Sequence, residues 1–128
     1  MGYDFVYCCI DKHESRSYPF VPGPEFDIGD GILPFESAVE IVEAIARLPH
    51  MIVCEPNIIR WKDAEHRSLT LYVSSEGVNV DVHAPWKVVL DVYRALVVNW
   101  PSLTILDKQA FVFHNESSFK ALMRSIGQ

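Results

Sequence analysis

Residues 68–100 constrain the fold more than any other part of the chain. Two short runs, 68–74 and 78–83, alternate apolar and polar residues. A period of two is typical of β-strands that bury one face and expose the other. The runs therefore predict a β-hairpin, and its polar side would carry Thr70, Tyr72, Ser74, Asn79, Asp81 and His83.

The register of this hairpin depends on its loop. We expect a two-residue loop formed by Glu76 and Gly77, in which the glycine supplies the positive φ that such turns need. In that register Val73 lies opposite Val80, and the apolar side chains share one face. A slip by one residue would break this shared face, because it would turn every side chain of one strand to the other side.

A helix is predicted directly after the hairpin, with Pro85 as its first helical residue and Asn99 and Pro101 at its end. Apart from a narrow polar strip the helix is apolar, which is typical of a mostly buried helix. We expect it to cover the apolar side of the hairpin, since burying one large apolar side chain contributes about 1.5–3 kcal/mol. Its apolar stripe consists of Trp86, Val89, Leu90, Tyr93, Val97 and Trp100.

Further strands and helices are predicted on both sides of this centre. The strands fall at residues 3–10, 51–55, 57–62, 102–107 and 110–114, and the helices at 34–49 and 115–127. Pro34 and Pro49 bound the first of these helices. Asn115 or Ser117 would cap the second, and Gly127 marks its end.

This order of elements predicts a single α+β domain over residues 1–128, with a mostly antiparallel sheet and helices packed on one face. A strand-helix-strand-strand-helix-strand order is embedded in it, so a ferredoxin-like core is one topology that we consider. Residues 11–33 form a long Pro- and Gly-rich loop that is also rich in aromatic and aliphatic side chains. They favour a flap packed over a sheet edge or face, and a binding or gating loop is the alternative.

Charge and cysteine content narrow the classes of protein. The chain has 17 Asp and Glu against 11 Lys and Arg, and its formal net charge is −6. This balance disfavours nucleic-acid binding, which needs a basic surface. Cys8, Cys9 and Cys54 form no C-x-x-C motif, which favours a reducing cytoplasm. The first residues contain neither a signal peptide nor a membrane span, so we expect no membrane association.

Catalytic signatures are missing from the sequence: it contains no Gly-rich phosphate loop and no G-x-S-x-G elbow. We therefore assign no catalytic residue, expect no cofactor and no metal, and favour a binding protein over an enzyme. The best alternative ligand site is the polar side of the hairpin, where Tyr72, Asp81 and His83 would gather. We expect the remaining histidines to be ordinary surface or half-buried residues: His13, His50, His66 in a turn, and His114 at a strand end.

The leading functional hypothesis is a small acidic protein-binding module of the cytoplasm. It would act as an immunity or inhibitor protein that neutralises a basic toxin or enzyme, by steered association through exposed carboxylates. The candidate partner-binding residues are Asp27, Asp30, Glu36, Glu40 and Glu43. One alternative is a small enzyme or ligand-binding protein with its site between the Pro-rich loop and the polar sheet face. A subunit that forms a homodimer through a strand edge is the other alternative.

Overall fold

The computed structural model describes residues 3–65 and 67–126, and within them eight strands form one sheet that four helices accompany. The strands are β1 (Tyr3–Ile10), β2 (Ile32–Leu33), β3 (Met51–Glu55), β4 (Ile58–Lys62), β5 (Ser68–Val73), β6 (Val78–His83), β7 (Leu103–Asp107) and β8 (Val112–His114). The helices are α1 (Ile28–Gly31), α2 (Ala38–Ala46), α3 (Trp86–Val97) and α4 (Glu116–Ser125), with a short 3₁₀ turn at His13–Ser15.

The strands follow the order β3-β4-β5-β6-β1-β7-β8, and each neighbouring pair is antiparallel. The short strand β2 pairs with the end of β1. This arrangement confirms the predicted α+β class with its antiparallel sheet. The ferredoxin-like core stays a prediction, because β3, β4 and β8 extend the sheet at both ends.

Strand β1 lies between β6 and β7, and its residues 7–10 are buried on both faces, which is typical of a central strand. Phe5 and Tyr7 belong to a large core cluster that also contains residues of α2, α3 and α4. Cys8 and Ile10 belong to a second, smaller cluster with Phe113. Because neighbouring residues of a strand point to opposite faces, β1 separates a helix-covered face from a second face that has another cover.

The predicted contact between the hairpin and α3 is present in the main core. Val80 is 2% exposed, Val89 is fully buried and Tyr93 is 6% exposed. Trp86 and Trp100 are half-buried and pack against the edge of the same cluster. The apolar face of the hairpin and the stripe of α3 are therefore confirmed.

The predicted hairpin register was wrong by two residues. Val73 lies opposite Val78, so Ser75 and Glu76 form the two-residue loop. The Ser74 hydroxyl accepts hydrogen bonds from the backbone N–H groups of Glu76 and Gly77 and donates one to the Gly77 carbonyl oxygen. These bonds stabilise the turn at Ser75 and Glu76, one residue before the predicted loop. A shift by two residues keeps every side chain on its face, so the prediction of a shared apolar face stands.

Gly77 is required for a reason different from the predicted one. Its φ lies outside the positive range, but a Cβ at this position would lie 3.0 Å from the Tyr7 carbonyl oxygen and 3.1 Å from Cγ1 of Val6. The glycine therefore permits β1 to pass close to the hairpin turn.

Two helix starts differ from the predicted positions. Helix α2 begins at Ala38, because the Ser37 side chain caps it by accepting a hydrogen bond from the backbone N–H of Glu40. Pro34 therefore lies outside the helix. Pro85 is the N-cap of α3 rather than its first helical residue.

The predicted Asn115 cap of α4 is confirmed. Its side chain accepts a hydrogen bond from the Ser118 N–H, and the Ser118 hydroxyl accepts one from the Asn115 N–H. The predicted end of this helix at Gly127 lies outside the described residues, and so does the predicted turn residue His66.

The Pro-rich loop packs as a flap over the sheet face that the helices leave free. Tyr18, Phe20 and Phe26 contact the second core cluster. Phe20 also pairs with Phe113, since each residue's N–H bonds to the other's carbonyl oxygen at 2.8 and 2.9 Å. The Arg16 guanidinium lies 4.4 Å from the Phe20 ring centre and 5.2 Å from that of Phe26.

Candidate functional site

The polar side of the hairpin forms part of an open sheet face over β3–β6. Asp81 and His83 lie side by side there, with His83 Nε2 3.3 Å from Asp81 Oδ1. Tyr72 lies opposite Asn79, whereas Thr70 lies opposite Asp81. The corrected register therefore places Tyr72 across from a different residue than the predicted cluster assumed.

The Asp81–His83 pair can orient an imidazole for proton transfer or for ligand contact, but it lies in water. The side chains of His83 and Asp81 are 52% and 47% exposed, and an ion pair at that exposure contributes little to stability. A cleft of about 450 Å³ at the end of the sheet includes His83 together with Tyr3, Trp86 and Arg67, but Asp81 does not line it. The Arg67 guanidinium there already bonds to Asp63 at 2.8 Å.

A second cavity, of about 470 Å³, lies between the Pro-rich loop and the sheet. Gly29, Ile32 and Pro34 line it from the loop side, and Asn79 and Leu106 from the sheet. It occupies the region in which the alternative ligand site was predicted. Tyr72, Asp81 and His83 do not line it, so the cavity and the predicted polar cluster are separate features.

The negative charge of the protein is concentrated in residues 25–46, which we call the acidic segment. It carries six carboxylates and no lysine or arginine, while the rest of the chain carries eleven acidic and eleven basic residues. The formal net charge of −6 therefore comes from this one segment. The candidate residues Asp27, Asp30, Glu36, Glu40 and Glu43 all belong to it, and all of them are exposed.

The carboxylates of the acidic segment are not neutralised by the described part of the chain. None lies within 4.0 Å of a basic group in residues 3–65 and 67–126, whereas Asp63, Asp91 and Glu116 all form ion pairs there. The hydrogen bond from Arg94 lowers the pKa of Glu116 below its ordinary value. Unpaired carboxylates produce a negative field that attracts a basic molecule over several ångströms.

A third cleft, of about 440 Å³, opens between the acidic segment and the end of α3. We call it the Glu36–Trp100 cleft; Leu33, Pro34, Glu36 and Glu40 line it from the acidic segment, and Asn99, Trp100 and Pro101 line it from the end of α3. The sequence predicted the glutamates but treated Trp100 as a core residue. Trp100 follows the last turn of α3 and precedes a proline, and this position is the signal that could have identified it as a residue at the surface.

Buried polar residues near α4 form a cluster that the sequence did not predict. His114 is 5% exposed, and its Nδ1 lies 3.0 Å from the Ser118 hydroxyl oxygen. Burial lowers the pKa of His114, while the nearby Asp107 carboxylate acts in the opposite direction. Because Ser118 also completes the cap of α4, this cluster has a structural role that accounts for its contacts.

Two of the cysteines are buried. Burial raises the pKa of Cys8 to about 12 and that of Cys9 to about 11, so both thiols stay protonated at neutral pH. Cys54 is exposed on β3. Protonated buried thiols are poor nucleophiles and pack as small apolar groups.

Comparison with known proteins returns no relative: no family model, no curated protein and no solved structure matches the chain. Within residues 3–65 and 67–126, no three His, Cys, Asp or Glu side chains are grouped to hold a metal ion. No helix of the described part is both long enough and apolar enough to cross a membrane.

Proposed function

We propose that the protein is a small acidic binding module of the cytoplasm that recognises a basic partner protein through its acidic segment. It would act as an immunity or inhibitor protein that neutralises a basic toxin or enzyme. The observation that supports this most is the origin of the whole net charge in residues 25–46, whose carboxylates are exposed and unpaired among the described residues.

The acidic segment combines charge with apolar surface. Val39 is 64% exposed and Leu33 is 37% exposed, so apolar side chains lie among the carboxylates. The carboxylates would steer a basic partner towards this surface, and the apolar side chains would be buried once contact is made. The three free cysteines, of which two are buried, support a reducing compartment.

Affinity capture followed by association kinetics tests this proposal. The captured partner should be basic and stoichiometric. In the triple variant Asp30→Lys, Glu36→Lys and Glu40→Lys, association should slow by about tenfold or more, and its salt dependence should flatten, since steering depends on screened charge.

A matched control reverses three exposed carboxylates elsewhere, Glu14→Lys, Glu55→Lys and Glu76→Lys, and changes the net charge by the same amount. This control should retain most of the association rate. Equal rates for the wild type and the first triple variant, or equal slowing in both triple variants, would remove the proposal.

A ligand-binding protein or small enzyme is the second candidate, and the cavity between the loop and the sheet favours it. A small ligand would enter between Ile32 and Leu106, with Asn79 as a polar contact. Native mass spectrometry of the purified protein should then show a bound small molecule that Leu106→Trp displaces. Asp81→Asn and His83→Gln would test whether the polar sheet face takes part.

A homodimer is the third candidate, and the exposed edge of β3 favours it. Ile52 and Val53 are 62% and 45% exposed on this edge strand. Antiparallel pairing of two β3 strands would satisfy their free backbone groups. Light scattering over a dilution series should show a dimer that Val53→Pro dissociates, and a monomer at every concentration would exclude it.

A further inference from the structure

The Glu36–Trp100 cleft has the chemical lining of a pocket for a cationic side chain. Glu36 and Glu40 line it from the acidic segment, and the aromatic residue Trp100 lines it from the end of α3. Leu33, Pro34 and Pro101 add apolar contacts, and among the described residues no lysine or arginine lines the cleft. Carboxylates and an aromatic ring that line one cleft can together bind a cation through charge-assisted hydrogen bonds and cation–π contact.

The position of Trp100 is fixed by the fold. Its ring packs edge-on against the buried Phe35, with ring centres 5.4 Å apart. Phe35 is itself held by a hydrogen bond of 2.6 Å from its N–H to the Ser75 carbonyl oxygen at the tip of the hairpin. A ring fixed in this way loses little conformational entropy when a ligand binds to it.

The end of α3 adds to the negative potential of the cleft. Asn99 and Trp100 follow the last turn of this helix, and both of their N–H groups bond to the Leu96 carbonyl oxygen. The C-terminus of a helix carries a partial negative charge and attracts cations. Arg94 is the basic residue of that last turn, and its Nε lies 2.8 Å from Oε1 of Glu116. The Arg94 guanidinium is therefore paired with a carboxylate of α4.

We infer that this cleft receives an arginine side chain of the basic partner, an inference that rests on the proposed function. A guanidinium group is planar, so it can stack on the Trp100 ring while its N–H groups donate to Glu36 and Glu40. A lysine ammonium lacks this geometry and is more strongly hydrated. The apolar stem of the arginine would contact Leu33 and the prolines.

A titration with model peptides tests the inference without the natural partner. The probes are a blocked glycine peptide with one central arginine and the same peptide with lysine. Binding is followed by NMR through the side-chain indole N–H signal of Trp100. The arginine peptide should shift this signal and bind about fivefold or more tightly than the lysine peptide, because only arginine both stacks and bonds to two carboxylates.

Two double variants with equal charge separate the cleft from the acidic segment as a whole. Glu36→Gln with Glu40→Gln removes the carboxylates of the cleft, whereas Glu25→Gln with Glu43→Gln removes two exposed carboxylates that do not line it. The first variant should weaken binding of the arginine peptide by about tenfold, and the second by about twofold or less, since charges outside the contact are screened.

Equal weakening in the two double variants would overturn the inference that the cleft binds the arginine side chain. It would show instead that the peptide binds to the acidic segment without a specific pocket. Absence of a Trp100 shift, or equal affinity for the two peptides, would also overturn the inference. These results leave the proposed function open to its own test, since capture of a basic partner and the charge-reversal kinetics do not depend on Trp100.

Discussion

The hydroxyl group of Tyr7 donates a hydrogen bond of 2.7 Å to the carbonyl oxygen of Val89, and both residues are fully buried. This bond joins β1 to α3 across 82 positions of the sequence. Burial raises the pKa of Tyr7 well above its ordinary value, and Asp91 adds to the effect, so the phenol remains a donor. The central strand and the central helix are thus linked by a polar contact inside an apolar core.

Loss of this hydrogen bond should destabilise the fold. Tyr7→Phe should lower the free energy of unfolding by about 1–2 kcal/mol, because a buried acceptor loses one partner. Urea denaturation measures the change. Tyr72→Phe is the matched control, since Tyr72 is 46% exposed, and it should change stability by about 0.5 kcal/mol or less. Equal effects of the two variants would contradict the role of the Tyr7 hydroxyl.

Addition of a side chain at Gly77 should also destabilise the protein. In Gly77→Ala the new Cβ would lie 3.0 Å from the Tyr7 carbonyl oxygen, so β1 and the hairpin turn must move apart. We expect a loss of about 1–3 kcal/mol in urea denaturation. Ser75→Ala changes the same turn on its exposed side and should cost less. A Gly77→Ala variant as stable as the wild type would show that the backbone of β1 does not lie close to Gly77.

The cap of α4 should contribute measurably to stability. Asn115→Ala removes the side-chain oxygen that accepts the Ser118 N–H at 2.8 Å, and we expect a loss of about 1 kcal/mol. Ser117→Ala serves as control, because Ser117 is exposed and is not part of the cap. Thermal or urea denaturation distinguishes the two, and the cap is unimportant if they unfold alike.

Stability should fall in mild acid, partly because of His114. Burial lowers the pKa of His114 from its ordinary value of 6.5, so the unfolded chain binds this proton more readily than the folded protein. The contribution is therefore complete above pH 6.5 and is lost as the pH decreases below that value. His13, whose pKa burial also lowers, contributes with the same sign.

The variant His114→Gln tests this pH dependence. Its own stability is lower, but the slope of unfolding free energy against pH below 6.5 should be shallower than in the wild type. Urea midpoints at several pH values give the slope. A slope equal to that of the wild type would show that His114 takes up its proton equally in the folded and unfolded states.

Local patterns were sufficient to predict the faces of the elements but not their exact pairing. The alternation in 68–74 and 78–83 identifies the buried side of the hairpin, yet a slip by two residues preserves that alternation. The observed register is stabilised by the hydrogen bonds of the Ser74 hydroxyl and by the hydrogen bond from the Phe35 N–H to the Ser75 carbonyl oxygen, which joins residues 40 positions apart. Such a contact has no local signature.

Only some residues of the candidate surface could be predicted from the sequence. The exposure of Glu40 and Glu43 follows from the helical period of α2, and the structure exposes both. Trp100 continues the apolar spacing of α3, so the sequence assigns it to the core. Its place in the Glu36–Trp100 cleft depends on where α3 ends and on the packing of Phe35, neither of which the spacing contains.

The pairing of Phe20 with Phe113 limits how copies of this protein can associate. Val112 and His114 pair with β7, so Phe113 carries the outward N–H and carbonyl group of β8, and Phe20 occupies both. Strand addition is therefore blocked at this end of the sheet and remains open at β3. Within residues 3–65 and 67–126, β3 is the one end of the β3-β4-β5-β6-β1-β7-β8 order that stays free, so association through the ends of the sheet would stop at two molecules.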